Sequence, residues 1–214
     1  MFIFEQIRVG GSRNFGYLIG DRDAEKAVLI DPSFRPKKLV QRARDQGLTV
    51  THVINTHGHR DHTIGNARAL KLTGAQLVAH RAASSRPDVT VDHGDELAVG
   101  LLTLRFLHTP GHADDHLCVL VDEVCVTGDI LFVGKIGGTA TEEAARVEYE
   151  SLHRVLLELP DATTIWPGHD FGCRPSSTVG LEKRTNPFLL CEDFESFLEL
   201  KADWLHYKRR FGLT

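Results

Sequence analysis

The 214 residues carry 25 Lys and Arg against 29 Asp and Glu, a formal net charge of −4, with 42% hydrophobic residues. A chain of this length fits one large domain, and its charge balance gives no electrostatic footprint for nucleic acid or an anionic membrane. No apolar run approaches the roughly 18 residues of a bilayer span, and Glu5, Gln6 and Arg8 break the apolar start MFIFEQIRVGG, so neither an anchor nor a signal peptide is expected.

Short strand-like runs come first: FIFEQI at 2–7, FGYLIG at 15–20 and AVLID at 27–31. Gly10, Gly11 and Asn14 supply turn chemistry between the first two. A polar helix is expected from Pro36 to Gly47, because proline suits a first helical turn and glycine a C-terminal cap. A strand ending near Ile54 runs into NTHGHRDHTIG at 55–65, and a helix over 63–72 is closed by Gly74. Residues 76–79 and 97–108 read as strands. Residues 116–122 and 124–129 read as a hairpin turning at Asp122 and Glu123.

The clearest helix spans 141–159. Its apolar positions Ala145, Tyr149, Leu152, Leu156 and Leu159 share one face. Glu142 and Glu143 suit the positive end of the helix dipole, and Pro160 ends the pattern. TTIW at 163–166 leads into PGH, and one of Ser176 and Ser177 is expected to cap a helix. A last helix is expected from Glu192 to Arg210, with Lys208, Arg209 and Arg210 as its solvated end. Two mixed sheets packed face to face, with helices outside, would bury these patterns. The four cysteines, Cys118, Cys125, Cys173 and Cys191, include no CxxC pair, so a reducing, cytoplasmic setting is expected. Cys118 and Cys125 lie in alternating apolar runs and read as small hydrophobes.

Within six positions the chain holds His57, His59, Asp61 and His62. Side chains two apart in an extended segment point the same way, so His57 and His59 can reach one ion together. Asp61 and His62, displaced along the turn, can address a second. Imidazole and carboxylate donors suit Zn²⁺, Fe²⁺ or Mn²⁺. Without an ion, burying all four would leave several polar groups unpaired. His112, Asp129 and His169 each follow a glycine at the end of an apolar run, in LRFLHTPGH, VCVTGD and TTIWPGH. Gly111, Gly128 and Gly168 let the backbone turn so that the next side chain points inward.

HGHRDH followed by PGH, GD and PGH resembles the metallo-β-lactamase fold superfamily. Within it, the chain is most similar to the branch of glyoxalase II (hydroxyacylglutathione hydrolase) and the iron-dependent persulfide dioxygenases. The resemblance runs from the first strands to EKRTNPF at 182–188. It implies an α/β fold, a four-layer αβ/βα sandwich of two mixed β-sheets flanked by helices. Residues 1–214 would form one such domain, ending in a short helical extension over about 188–214.

By the same resemblance, His57, His59 and His112 hold a first metal, Asp61, His62 and His169 a second, and Asp129 bridges them. Asp61 and Asp129 would also orient the attacking water, and Asp31 in LIDPS would orient a ligand histidine. Two divalent ions are implied, zinc first, with iron or manganese as alternatives. The implied activity is hydrolysis of a small thioester or related acyl compound by a metal-bound hydroxide. The alternative is a mononuclear Fe(II) persulfide dioxygenase with His57, His112 and Asp129 around the iron. A non-hydrolytic metal-binding module is a third reading, which the complete ligand set disfavours. The implied partner is a small thioester or thiol-derived molecule, with no nucleic acid and no membrane; no residue pattern specifies an oligomeric state.

Lys135, in GDILFVGKIGG, stands where glyoxalase II-like enzymes carry a basic residue that meets a glutathione carboxylate. Phe171 replaces their glutathione-binding tyrosine and lacks its hydroxyl donor. Arg174, beside Ser176 and Ser177, is a further candidate for the substrate pocket. The chain departs from the branch in lacking the Gly-Cys-Gly before the basic residue, and in Asp115 and His116, the former where a glycine is usual.

Overall fold

The structure is a computed structural model that describes residues 1–212. Its first sheet holds β1 (Phe2–Gly10), β2 (Asn14–Asp21), β3 (Lys26–Ile30), β4 (Thr49–Ile54), β5 (Gln76–His80) and β6 (Val89–Val91), paired in chain order. The first three strands form an antiparallel meander, and β3 to β6 run parallel. Parallel neighbours need crossover connections. The helical ones are α1 (Pro36–Asp45) between β3 and β4, then α2 (Arg60–Thr63) and α3 (Asn66–Thr73) between β4 and β5, whereas β5 passes to β6 through residues 81–88 without a helix.

The second sheet begins with β7 (Glu96–Val99), β8 (Leu102–His108), β9 (Leu117–Val121) and β10 (Val124–Gly128). A small hairpin of β11 (Leu131–Phe132) and β12 (Lys135–Ile136) and the helix α4 (Glu142–Ser151) precede β13 (Thr164–Pro167) and β14 (Ser177–Thr178). Its order is β14-β13-β10-β9-β8-β7, antiparallel except where α4 carries the chain from β10 to the parallel β13. The helices α5 (Val179–Thr185), α6 (Phe194–Ala202) and α7 (Trp204–Phe211) follow.

Period-two alternation sorts the side chains between layers. Tyr17 and Ile19 on β2 join Leu117, Val119 and Val121 on β9 in the core between the sheets. Leu18, between the first pair, packs outward with Leu39, Val40 and Ala43 of α1. Cys118 and Cys125 face the other way, into an outer core with Leu152, Phe188 and Phe197. Both cysteines are fully buried, as their apolar surroundings suggested. The result is the expected four-layer sandwich.

Several boundaries differ from the periodicity. The run 97–108 is a hairpin, because Gly100 turns through a left-handed conformation (φ 65°) and Leu101 N–H donates to Asp21 at 2.8 Å. The helix expected over 141–159 is α-helical only to Ser151, then continues as one π-helical stretch, Leu152–Leu156. Pro160 would clash with the Leu156 carbonyl, so the coil unwinds there. The last helix breaks at Asp203, whose backbone (φ −97°, ψ 11°) ends α6 and begins α7. Neither serine caps α5; Thr178 does, its hydroxyl accepting from Leu181 N–H at 3.2 Å.

Candidate metal centre

β8, β10 and β13 point the same way, so the residues that follow them emerge at one edge of the second sheet. Their side chains His112, Asp129 and His169 meet there with those following β4, namely His57, His59, Asp61 and His62. Strand direction thus gathers residues separated by up to 112 positions, the span from His57 to His169.

His57 Nε2 lies 2.9 Å from His59 Nδ1, which lies 3.1 Å from His112 Nε2. The three rings stand near right angles to one another, at 79° to 85°. Nitrogens each about 2.0–2.1 Å from one ion lie roughly 3 Å apart, so this convergence fits a single cation. On the other side, His169 Nε2 is 3.3 Å from Asp61 Oδ2, and His62 Nε2 is 3.5 Å from the same oxygen. Asp129 stands between the two groups, with Oδ2 3.1 Å from His169 Nε2 and 3.7 Å from His112 Nε2, and Oδ1 3.5 Å from His62 Nε2. All seven expected ligand-type residues are therefore brought together.

A surrounding layer fixes the ring tautomers. Asp31 Oδ2 accepts from His62 Nδ1 at 2.8 Å and from the Thr56 hydroxyl at 2.6 Å, and Asp31 Oδ1 accepts from Thr56 N–H at 2.9 Å. Since the Thr56 hydroxyl donates to Asp31, it accepts from His57 Nδ1 at 3.0 Å. His112 Nδ1 donates to the Gly138 carbonyl and His169 Nδ1 to that of Ser12, each at 2.8 Å. With Nδ1 engaged by these partners, all four rings turn Nε2 towards the centre. Asn14 Nδ2 donates to Asp61 Oδ2 at 2.9 Å and holds that carboxylate in place.

Charge and orphaned atoms also fit cations. Burial alone would raise the Asp129 carboxyl, but His169 and His62 hold it well below the usual carboxylate range. Burial opposes charge on His62, yet Asp31 and Asp129 raise its pKa well above 6.5. The edge therefore has an excess of negative charge. Among the described residues, His62 Nε2 and Asp129 Oδ1 are buried without any hydrogen-bond partner, and a cation between them would satisfy both.

Of the three glycines, Gly111 (φ 131°) and Gly128 (φ 49°) do take the turns that glycine permits. Gly168 serves a different purpose: a Cβ there would sit 2.2 Å from Asp129 Oδ1. His116, which the motif reading noted only as a departure, is buried behind the centre, and its Nε2 accepts the backbone N–H of Asp129 at 3.0 Å. Burial lowers its pKa to about 3, so it stays neutral and keeps that acceptor. Asn14, Thr56 and His116 carried no motif; a polar residue beside an apolar run was their only sequence trace.

Phe171 stacks on the His169 ring at 4.6 Å, and Lys135 Nζ and the Arg13 guanidinium lie 4.6 Å and 5.0 Å from the centre of the Phe171 ring. Arg13, Lys135 and Phe171 line a cavity of about 270 Å³ together with Cys173, Trp204 and Lys208. Burial and the nearby charges of Lys208 and Arg13 lower the Lys135 pKa. Arg174 is exposed and is not among the residues that line this cavity, where Arg13 and Lys208 supply the further cations.

A further His–Asp group, His80, Asp92 and His108, does not converge in the same way. Its two rings stack in parallel at 3.9 Å and 11°, so their in-plane lone pairs run alongside one another. His108 Nε2 donates to the Asp114 carbonyl, and Asp92 pairs with Arg81.

The fold and the His–Asp edge together define a metallo-β-lactamase-type protein. The family model described as "Metallo-beta-lactamase superfamily" matches residues 9–87 and 81–169, and the chain belongs to that superfamily. Among known relatives, the hydroxyacylglutathione hydrolase of Polaromonas sp. is 38% identical over 177 residues, 79% of this chain and 67% of that protein. The mitochondrial persulfide dioxygenase ETHE1 of Homo sapiens is 34% identical over 191 residues, 86% of this chain and 75% of that protein. The crystal structure of ETHE1 from Myxococcus xanthus superposes with a TM-score of 0.88 at 38% identity, covering 94% of this chain and 91% of that one.

Proposed function

We propose that the chain is a dinuclear metal-dependent hydrolase, resembling glyoxalase II, that cleaves a small thioester or related acyl compound with an anionic end. The observation that carries this reading is the pair of donor groups with Asp129 standing between them, where His62 Nε2 and Asp129 Oδ1 are buried and unpartnered. His57, His59 and His112 would hold one ion, Asp61, His62 and His169 the other, and Asp129 both. Two divalent ions, zinc foremost and iron or manganese next, supply when bound a water whose pKa falls from about 15.7 to about 7.

The chain's own residues do the rest. Asp129 and the Asn14-held Asp61 are acceptor-only at neutral pH and orient the attacking water by its protons. Water adds its oxygen to the acyl carbon, the carbon–sulfur bond breaks, and the sulfur leaves with a proton as a thiol. Arg13, Lys135 and Lys208 attract a carboxylate on the substrate, and the Phe171 face bounds it. Phe171 provides no hydroxyl, so the anionic end need not be that of glutathione. Four free cysteines support a reducing, cytoplasmic setting.

A second reading, a mononuclear Fe(II) persulfide dioxygenase, draws support from the similarity to the human and Myxococcus proteins named above. It leaves the donors of His59, Asp61, His62 and His169 without an ion. Metal analysis of protein from metal-replete cells separates the two. Two ions per chain with thioester turnover supports hydrolysis; one iron per chain with O₂ uptake on glutathione persulfide supports the dioxygenase. Asp61→Ala is expected to remove one ion of two, and an undiminished metal content would refute the two-ion site.

A further inference from the structure

Glu148, on α4, is completely buried. One of its carboxylate oxygens accepts from Lys201 Nζ of α6, and the other has no partner among the described residues. Burying two charges costs several kcal/mol per ion, and apolar side chains of similar volume often hold two helices together as well or better. Stability alone is therefore a weak reason for this pair.

Its surroundings suggest another. Lys201 Nζ also donates to the Gly137 carbonyl at 3.1 Å. The next carbonyl, of Gly138, is the one that accepts from His112 Nδ1. Residues 137–139 lie outside helix and strand, and two adjacent glycines have wide backbone freedom. Gly137 is packed on one side against the Asp129 carbonyl, which a Cβ at 137 would approach to 2.1 Å, and Lys201 holds its own carbonyl from the other side, so the next carbonyl stays aimed at His112. The loop that bears His112 is seated on the same helix. Gly111 lies so close to Glu148 that a Cβ at 111 would be 2.4 Å from the Glu148 Cα, and the Ser151 hydroxyl donates to the Pro110 carbonyl at 2.7 Å.

We propose that Lys201 and Glu148 are positioning residues for the metal centre: their buried pair fixes the Gly137 carbonyl, and through Gly138 it fixes the ring of His112. The inference rests on the reading of His112 as a metal ligand. It makes α6, in the last part of the chain, a working component of an edge otherwise built from strand ends and the short helix α2.

The test replaces the pair with apolar side chains, Glu148→Leu with Lys201→Met, so that no lone charge is left buried. The readouts are Zn²⁺ affinity by chelator competition, the visible spectrum of the Co²⁺-substituted protein, and the melting midpoint of the metal-free protein. Loss of an outer ligand contact of this kind weakens metal binding about 10–100-fold. The expected result is that loss with an altered Co²⁺ spectrum and a near-normal metal-free midpoint, and Lys201→Arg restoring affinity to within about threefold. Should the apolar pair fail to fold, Glu148→Gln with Lys201→Met gives the same readouts with a neutral, hydrogen-bonding partner. Wild-type affinity and an unchanged spectrum in the folded double variant would overturn the proposal. His112→Ala isolates the underlying reading: full metal content there would remove His112 as a ligand, whereas a deficient His112→Ala beside a normal double variant would fault the clamp alone.

Discussion

Asp31→Asn exchanges one oxygen for an amide nitrogen and changes little else. Asp31 adopts a left-handed backbone (φ 47°), which asparagine tolerates and alanine does not. Three donors converge on the carboxylate: Thr56 N–H on Oδ1, and the Thr56 hydroxyl with His62 Nδ1 on Oδ2. Whichever way the amide turns, its NH₂ faces at least one of them. A buried donor left unsatisfied costs about 1–3 kcal/mol. His62 also loses the acceptor that keeps its proton on Nδ1, so Nε2 can become protonated and stop facing an ion as a lone pair. The expected outcome is a loss of about 10–100-fold in affinity at the ion that His62 binds, or about 1.4–2.8 kcal/mol. Competition with a chromophoric chelator measures it, with the metal-free melting curve as a control on folding. Affinity within twofold of wild type would show that Asp31 does not orient His62.

Gly168→Ala places a methyl group 2.2 Å from Asp129 Oδ1 and 2.9 Å from a carbon of the His62 ring. One carboxylate must shift by about an ångström, so kcat is expected to fall about 100-fold; wild-type turnover would contradict the assigned crowding. Burial raises the Glu148 pKa from 4.5 to about 7, against the opposing pull of Lys201. The folded state then binds more protons than the unfolded one between those values, so stability falls as pH rises from 4.5 to 7, by about 3 kcal/mol from this group. Denaturant unfolding across that range should show the slope, and Glu148→Gln should flatten it; equal slopes in both proteins would reject it.

The donor residues were legible because metal ligation demands particular side chains at short spacing, and four fell within six positions. The distant ones showed through a repeated local grammar of apolar run, glycine and ligand. The sandwich was legible through alternation on the strands, but the hairpin at Gly100 was not, since one glycine in an apolar run marks either a turn or a close approach. The layer behind the ligands was illegible for a related reason. Asn14, Thr56 and His116 act through hydrogen bonds to residues distant in the chain, and such bonds leave no spacing to read. The cavity was half visible: Lys135 and Phe171 lie near motif residues, whereas Arg13 and Lys208 are joined to them only by the tertiary arrangement.

The break at Asp203 separates two kinds of structure. Before it, α6 sinks Phe194 and Phe197 into the outer core; after it, α7 buries none of its side chains and yet offers Trp204 and Lys208 to the cavity. The helix that borders the cavity is thus seated on the outer core through Trp204 against Phe188, while the His–Asp edge is tied by hydrogen bonds from the layer behind it. Surface changes on that last helix would therefore reshape the cavity while leaving the His–Asp edge as it stands.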